Sequence, residues 1–350
     1  INIKLGGVFL KIGSNLKKLL AYVVVLLFIV GNLPIKAIKA TTEELTTKTI
    51  QILATTDLHG RFVPYDYARA TKSDGGLTQI ATLVNAERQN NPNTILVDNG
   101  DNIQGNYNHL FLNDEKNPMM TAMNYIGYDS FGLGNHEFNF GMDKLFAIEE
   151  QAESSNIAVL CANLYKDGKR VFDAYNMETL DNGVRVATIG VVTPHITKWD
   201  GPNLVGYQPT NPVDEVAKVI EEIKIAGGAD VYVVTAHVGY DGEYGNGDSA
   251  KEIAENNSDV DVVIMGHSHM ANLSKTAGNA VLIQPTNNAG SLGKVEINLT
   301  KKDGKYEIES KEGSFISTAK VQEDTNLVNS LKDYDERAKA DANTAIGTLE

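Results

Sequence analysis

Ile50-Gln51-Ile52-Leu53-Ala54-Thr55-Thr56-Asp57-Leu58-His59 is an apolar, β-branched run that ends on two metal-liganding residue types. A run of this length and composition reads as a strand. Four more stretches repeat the arrangement: Thr94–Asp98 before Asn99-Gly100-Asp101, Asp129–Leu133 before Gly134-Asn135-His136-Glu137, Val231–Thr235 before Ala236-His237, and Val260–Met265 before Gly266-His267-Ser268-His269. Between them, Leu77, Ile80, Ala81, Leu83 and Val84 give residues 77–90 one apolar helical face. Val216, Val219, Ile220 and Ile223 do the same for 213–226, with Pro212 suited to the first helical turn. Arg185–Val192 is a further strand candidate, and Lys294–Leu299 with Lys305–Ser310 form a hairpin pattern around Asp303-Gly304. The alternation predicts a layered α/β domain. Ligand sites of open α/β sheets lie in loops leaving the carboxyl ends of strands, so five of the seven histidines, scattered over more than two hundred positions, can converge there on a two-metal hydrolytic site.

The 350 residues suffice for one large domain or two modest ones, and 42% hydrophobic content is that of a globular chain. Residues 1–40 hold six lysines and no acid, which leaves 25 basic against 45 acidic side chains beyond them, a formal charge of −20. Such a balance argues against nucleic acid polymers and anionic membranes as partners. Lys11, Lys17 and Lys18 precede the apolar run Leu19–Val30, with Pro34 and small Ala40 after it, so 1–40 reads as a signal peptide of an exported protein: secreted, wall-associated or periplasmic, with no stable membrane association after cleavage. The catalytic domain is expected over 41–318. From Thr325 the composition turns charged and alanine-containing, which reads as a helical connector over 319–350. The single Cys161, in an apolar stretch, reads as a core residue that can form no internal disulfide.

Side chains two apart on an extended backbone share a face, so Asp57 with His59, and His267 with His269, are each expected to reach one ion. Carboxylate plus imidazole suits zinc, manganese or iron better than calcium. Gly100, Gly134 and Gly266 beside these residues allow turns or close backbone approach. A lone strand-end histidine is ordinarily a satisfied core or surface residue, so the ordered set carries the argument and no single member does.

That set, D-x-H, G-D, G-N-H-E, a single His, then G-H-x-H, resembles the calcineurin-like metallophosphoesterases across nearly all of 49–299. Residues 54–59, 97–105 and 133–141 are similar to the exported bacterial group of 5′-nucleotidases and 2′,3′-cyclic-nucleotide 2′-phosphodiesterases. The resemblance implies a four-layer α/β/β/α sandwich with a dinuclear site at strand ends, its two divalent ions being Mn, Zn, Fe or Co. By matching position it implies Asp57, His59 and His269 on one metal, Asn135, His237 and His267 on the other, and Asp101 bridging. His136 is then left unligated as the catalytic group, with Asn135 and His136 facing substrate. Two divalent ions against two carboxylates leave the site cationic and receptive to phosphate, and paired ions of this kind lower the pKa of a water and orient it for in-line attack.

Asn139 stands where many 5′-nucleotidases carry an aspartate beside the catalytic histidine, and the G-N-H-E-F-N form is more similar to the cyclic phosphodiesterase branch. The loop Val191–Asp200, with the only tryptophan, Trp199, points the same way, although Trp199 is expected to do no more than pack that loop. His109 and His195 fall outside the ligand pattern, and Tyr65 and Tyr67 are candidates to line the cleft. The implied activity is hydrolysis of 2′,3′-cyclic nucleotides to 3′-nucleotides and of these to nucleosides. The alternatives are a 5′-nucleotidase or UDP-sugar hydrolase and, in another class, a noncatalytic surface binding protein. In the family a C-terminal domain supplies the aromatic residues that stack the base, so base recognition is expected outside this sequence.

Overall fold

The run opened by Thr47 forms strand β1 (Thr47–Thr55), and three parallel neighbours follow beside it: β2 (Thr94–Asp98), β3 (Ser130–Gly132) and β4 (Ala158–Leu160). Helices α1 (Leu77–Asn90), α2 (Pro118–Ile126) and α3 (Met142–Glu153) make the crossovers. The computed structural model describes residues 2–5, 8–11, 47–245 and 247–344. A second sheet is then built from β5 (Tyr175–Thr179), β6 (Arg185–Val192), β7 (Val231–His237), β8 (Val262–Met265), β9 (Leu273–Ala277) and β10 (Ala280–Gln284), in the order β5-β6-β7-β8-β10-β9. The short helix α4 (Ile196–Asp200), α5 (Pro212–Ile225) and α6 (Ala250–Asn256) connect its strands. Finally β11 (Ser291–Lys302) and β12 (Lys305–Ser317) return to the first sheet, whose order becomes β12-β11-β1-β2-β3-β4.

Side-chain alternation sorts the strands into layers. Ile50, Ile52, Ala54, Ile95 and Val97 of the first sheet pack against Val186, Val233, Val262, Ile264 and Ile283 of the second. The opposite faces meet helices: Leu53, Leu96 and Phe131 pack on α1, α2 and α3, while Ile189, Val234 and Val263 pack on α5 and α6. The result is the four-layer α/β/β/α sandwich. Each buried Val, Leu, Ile or Phe side chain among these contributes about 1.5–3 kcal/mol through removal from water.

Strand positions agree with expectation to within a few residues. β7 runs on through His237, and the hairpin strands extend well past Lys294–Leu299 and Lys305–Ser310. Lys302 pairs with Lys305, which leaves a two-residue turn of Asp303 (φ +50°) and Gly304 (φ +82°), as a type I′ hairpin requires. The segment expected as a helical connector is helical, as α7 (Thr325–Ala342), but its apolar side chains are not idle. Leu327, Leu331 and Ala338 are buried with Tyr334 beside them, a narrow stripe spaced four, three and four residues apart that packs on α1 and α2. The packed domain therefore continues past residue 318.

Contacts separate a unit Ile1–Glu44 from a unit Leu45–Glu350. In the former, Asn2–Leu5 pairs antiparallel with Val8–Lys11. The expected signal run Leu19–Val30 and cleavage point lie outside the described residues. Among the described residues no helix is long and apolar enough to cross a membrane.

Candidate metal centre

Asp57 and His59 lie beyond the end of β1, and both have left-handed backbone, φ +52° and +46°. The expected extended presentation is therefore wrong, although the two side chains do converge. Asp101 (φ +60°), His267 (+65°) and His269 (+52°) share that conformation, which non-glycine residues seldom adopt and which costs about 1–2 kcal/mol each. Neighbouring loops hold it in place. The Asp57 N–H donates to the Gly100 carbonyl (2.9 Å), the His59 N–H to the Asp101 carbonyl (2.8 Å), and the His267 N–H to Asp57 Oδ1 (3.1 Å). Gly100 (φ +90°) is required because a Cβ there would strike the Gly134 backbone, and a Cβ at Gly266 would strike Thr56 and the Asp57 carboxylate.

Glu137, quoted in the sequence motif but given no role there, organises two of these loops. Its buried carboxylate accepts from the backbone N–H groups of Asp101 (2.7 Å), Asn102 (2.6 Å) and Gly134 (2.7 Å), so the loops after β2 and β3 share one anion. Burial, and then the nearby Asp101, raise its pKa.

One ligand atom from each of Asp57, His59, Asp101 and His269 falls within 4.8 Å of the others. His59 Nε2 lies 3.1 Å from His269 Nε2, and His269 Nε2 lies 3.2 Å from Asp57 Oδ1. Asp101 links this group to the second set, with Oδ2 3.2 Å from His237 Nε2. There, His267 Nδ1 lies 2.7 Å from Asn135 Oδ1, and the His237 and His267 rings are 5.6 Å apart. Asp57, His59, Asp101 and His269 thus converge, Asp101 and Asp57 both approach His237, and His267 contacts Asn135 beside the His237 ring. The outer nitrogens of two rings are also engaged: His59 Nδ1 with Gln104 Oε1 (3.1 Å) and His269 Nδ1 with Asn287 Nδ2 (3.2 Å). Such contacts orient ligating rings. Gln104, Asn287 and Asn99 were not foreseen, because amides in loops leave no periodic trace.

His237 tests whether a cation fits. It is fully buried, its Nδ1 donates to the Asn99 carbonyl (2.6 Å), and its Nε2 has no hydrogen-bond partner. With the proton on Nδ1, Nε2 offers a lone pair, which is what a divalent ion takes from imidazole. The Asp57 and Asp101 carboxylates favour a cation at that place, a proton included. Burial alone would lower the His237 pKa, yet Asp101 and Asp57 push it up to about 10. Burial likewise opposes ionisation of Asp101, and His237 holds it below the usual carboxylate range. The pocket between these side chains calls for positive charge. Asp98, deeper in, is pushed up to about 7 by burial in spite of hydrogen bonds from Thr55, Asn102 and Gly100.

His136 stands at the edge of this group, its ring 5.5 Å from that of His59, with Nδ1 2.7 Å from Asn139 Oδ1. Beside it an open groove of about 540 Å³ is lined by Arg61, Gln104, Tyr107, His109, Asn139 and Phe140. Tyr65 and Tyr67 are directed elsewhere: Tyr67 is buried and donates to Asp335 of α7 (2.9 Å), and the Tyr65 ring faces Lys339. Trp199 does more than pack its loop. It is 42% exposed and sits 5.5 Å from both the Tyr244 and His267 rings, forming a rim on the His267 side. His195 packs against Tyr244 and takes no place among the ligands. Cys161 is buried, which pushes its thiol up to about 12 and leaves it inert.

Two packed sheets carrying an Asp/His/Asn cluster at their strand ends define a metal-dependent hydrolase scaffold. The chain belongs to the calcineurin-like phosphoesterases, whose family pattern matches residues 50–271. It is 32% identical over 341 residues to the trifunctional nucleotide phosphoesterase protein YfkN of Bacillus subtilis, covering 87% of this chain and 23% of that one. It is 30% identical over 339 residues to a 2′,3′-cyclic-nucleotide 2′-phosphodiesterase/3′-nucleotidase of Salmonella typhimurium, covering 83% of this chain and 50% of that one. The crystal structure of the calcineurin-like phosphoesterase YfkN superposes with a TM-score of 0.77 at 29% identity, covering 85% of this chain and all of that one. The chain thus spans half or less of the length of these two relatives.

Proposed function

We propose that this chain is the catalytic domain of an exported, metal-dependent phosphoesterase that hydrolyses 2′,3′-cyclic nucleotides to 3′-nucleotides and then 3′-nucleotides to nucleosides. The observation that carries the reading is the convergence of Asp57, His59, Asp101 and His269, joined through Asp101 to His237, with His136 beside the cluster and bound instead to Asn139. In this reading Asp57, His59 and His269 would hold one divalent ion and Asn135, His237 and His267 a second, with Asp101 shared between the two sets. When bound, such ions supply Lewis acidity toward phosphate oxygens and lower the pKa of a water.

The protein's own residues do the rest. Glu137 fixes the loops that carry Asp101 and Asn135, so the ligand atoms are held in place before substrate arrives. The Asn135 amide nitrogen would be free to donate to a phosphate oxygen, its oxygen being turned to His267. His136, half-buried at the groove, donates through Nε2 to the departing sugar oxygen as the ester bond breaks. In the cyclic substrate that oxygen is the 2′ one, which leaves a 3′-phosphate. The name of the Salmonella typhimurium relative and the neutral Asn139 support the cyclic ester as substrate. The greater length of the relatives supports a following domain that binds the base, and the lysine-rich apolar segment over 1–40 supports export.

The test is a product assay with a defined divalent metal on 2′,3′-cyclic AMP, 3′-AMP and 5′-AMP. The expected outcome is 3′-AMP followed by adenosine. Accumulation of 2′-AMP would overturn the regiochemistry, and much faster turnover of 5′-AMP would make the chain a 5′-nucleotidase domain.

A further inference from the structure

Asn139 is neutral, but it is not the end of the chain of contacts behind His136. Its Nδ2 lies 3.1 Å and 3.0 Å from the two carboxylate oxygens of Asp200, sixty-one residues away at the end of α4. We propose that Asp200 is a positioning residue for His136, acting through Asn139; the inference rests on the catalytic reading of His136 given above.

Donors and acceptors fix the orientation of the amide. A carboxylate can only accept, so the amide must turn its nitrogen toward Asp200 and its oxygen toward His136. That oxygen also can only accept, so at 2.7 Å the ring nitrogen Nδ1 must carry a hydrogen. His136 is thereby fixed in one ring orientation with Nδ1 keeping its hydrogen, so that Nε2 is the nitrogen that carries the second, transferable proton to substrate. Without Asp200 the amide has no reason to prefer either face.

Two further observations fit this role and no other that is visible. Asp200 is buried, 6% exposed, and among the described residues the hydrogen bonds of its carboxylate go to Asn139 alone. Burial of a carboxylate is unfavourable unless it is paired, so a buried one that serves a single amide calls for a reason. In addition, Asn203, three residues on, donates through Nδ2 to the carbonyls of Phe138 (2.9 Å) and Asn139 (3.1 Å). The segment 200–203 thus grips both the backbone and the side chain of the residue behind His136.

The experiment compares H136A, D200N, N139D and the exchange variant N139D/D200N on the nucleotide turned over fastest in the panel above, with metal content and Tm measured for each. In D200N the amide can rotate and present its N–H to Nδ1. The expected result is a kcat lower by roughly ten- to a hundredfold, with KM and bound metal unchanged. N139D sets two carboxylates against each other and is also impaired. The exchange variant restores the same order of donors and acceptors, since the carboxylate now at position 139 accepts from Nδ1 and the amide now at position 200 donates to that carboxylate, and kcat recovers at least tenfold over either single variant. Wild-type kcat in D200N, loss of metal in step with loss of activity, or an exchange variant no better than the singles would overturn the inference. Full activity in H136A would instead overturn the reading of His136 itself, so the two failures are distinguishable.

Discussion

His136 differs from the other strand-end histidines in what its nitrogens touch. His59, His237, His267 and His269 each bring a ring nitrogen to within about 4 Å of Asp57, Asp101 or Asn135, whereas His136 turns Nδ1 to Asn139. Replacing it with alanine should therefore lower kcat by about 10²–10⁴-fold while leaving two equivalents of metal bound, as measured by elemental analysis beside steady-state kinetics. Metal loss would make His136 a ligand. At this scale the motifs that converge were legible from their order along the chain, but their geometry was not. Asp57 and His59 meet the cluster from left-handed loop backbone, a conformation that no apolar pattern announces. Glu137 and Asp200 were unreadable for a different reason. Glu137 acts on backbone N–H groups 36 and 35 residues away and Asp200 on an amide 61 residues away, and such partners exist only once the chain has folded.

At the scale of elements, β-branched runs between glycines marked the strands to within a few residues, because a strand buried on both faces needs little but apolar side chains. α7 was harder to read. Its stripe of Leu327, Leu331, Tyr334 and Ala338 is embedded among charges, and its packing on α1 and α2 shows only in three dimensions. L331A should destabilise the domain by about 2–5 kcal/mol in denaturant titration, with metal content unaltered in the folded fraction; an unchanged midpoint would show the helix to be a detachable tail. In α3, burial, and then Glu153 and Asp173, push Glu149 up to about 7 from an ordinary 4.5. A carboxyl with a raised folded pKa binds its proton more tightly in the folded state, so stability is lost as pH rises from about 4.5 to 7. E149Q should therefore raise Tm at pH 8 and confer no advantage near pH 4.5, read by thermal melts at the two pH values.

For the molecule as a whole, the centre ties the two sheets together, with Asp57, Asp101 and Asn135 following the first and His237, His267 and His269 ending or following the second. A ligand that binds only the folded state stabilises it. Removal of metal with a chelator should lower Tm, and readdition of manganese or zinc should restore it; a Tm indifferent to both would separate the cluster from the stability of the sandwich. The topology also sets an order of events during synthesis. β1 is made early, yet its partner on one side is β11, with Ala54 opposite Gly293 and Thr47 opposite Thr300. A nascent chain therefore carries an open apolar edge for some two hundred and forty residues, and open edges invite pairing with other chains. Contacts so distant in sequence form slowly. Asp57 and Asp101 must wait for His269, and the sheet that carries the first two is not closed until β11 arrives, so the cluster is assembled late in synthesis, a fragment that ends before residue 269 lacking one of its four members.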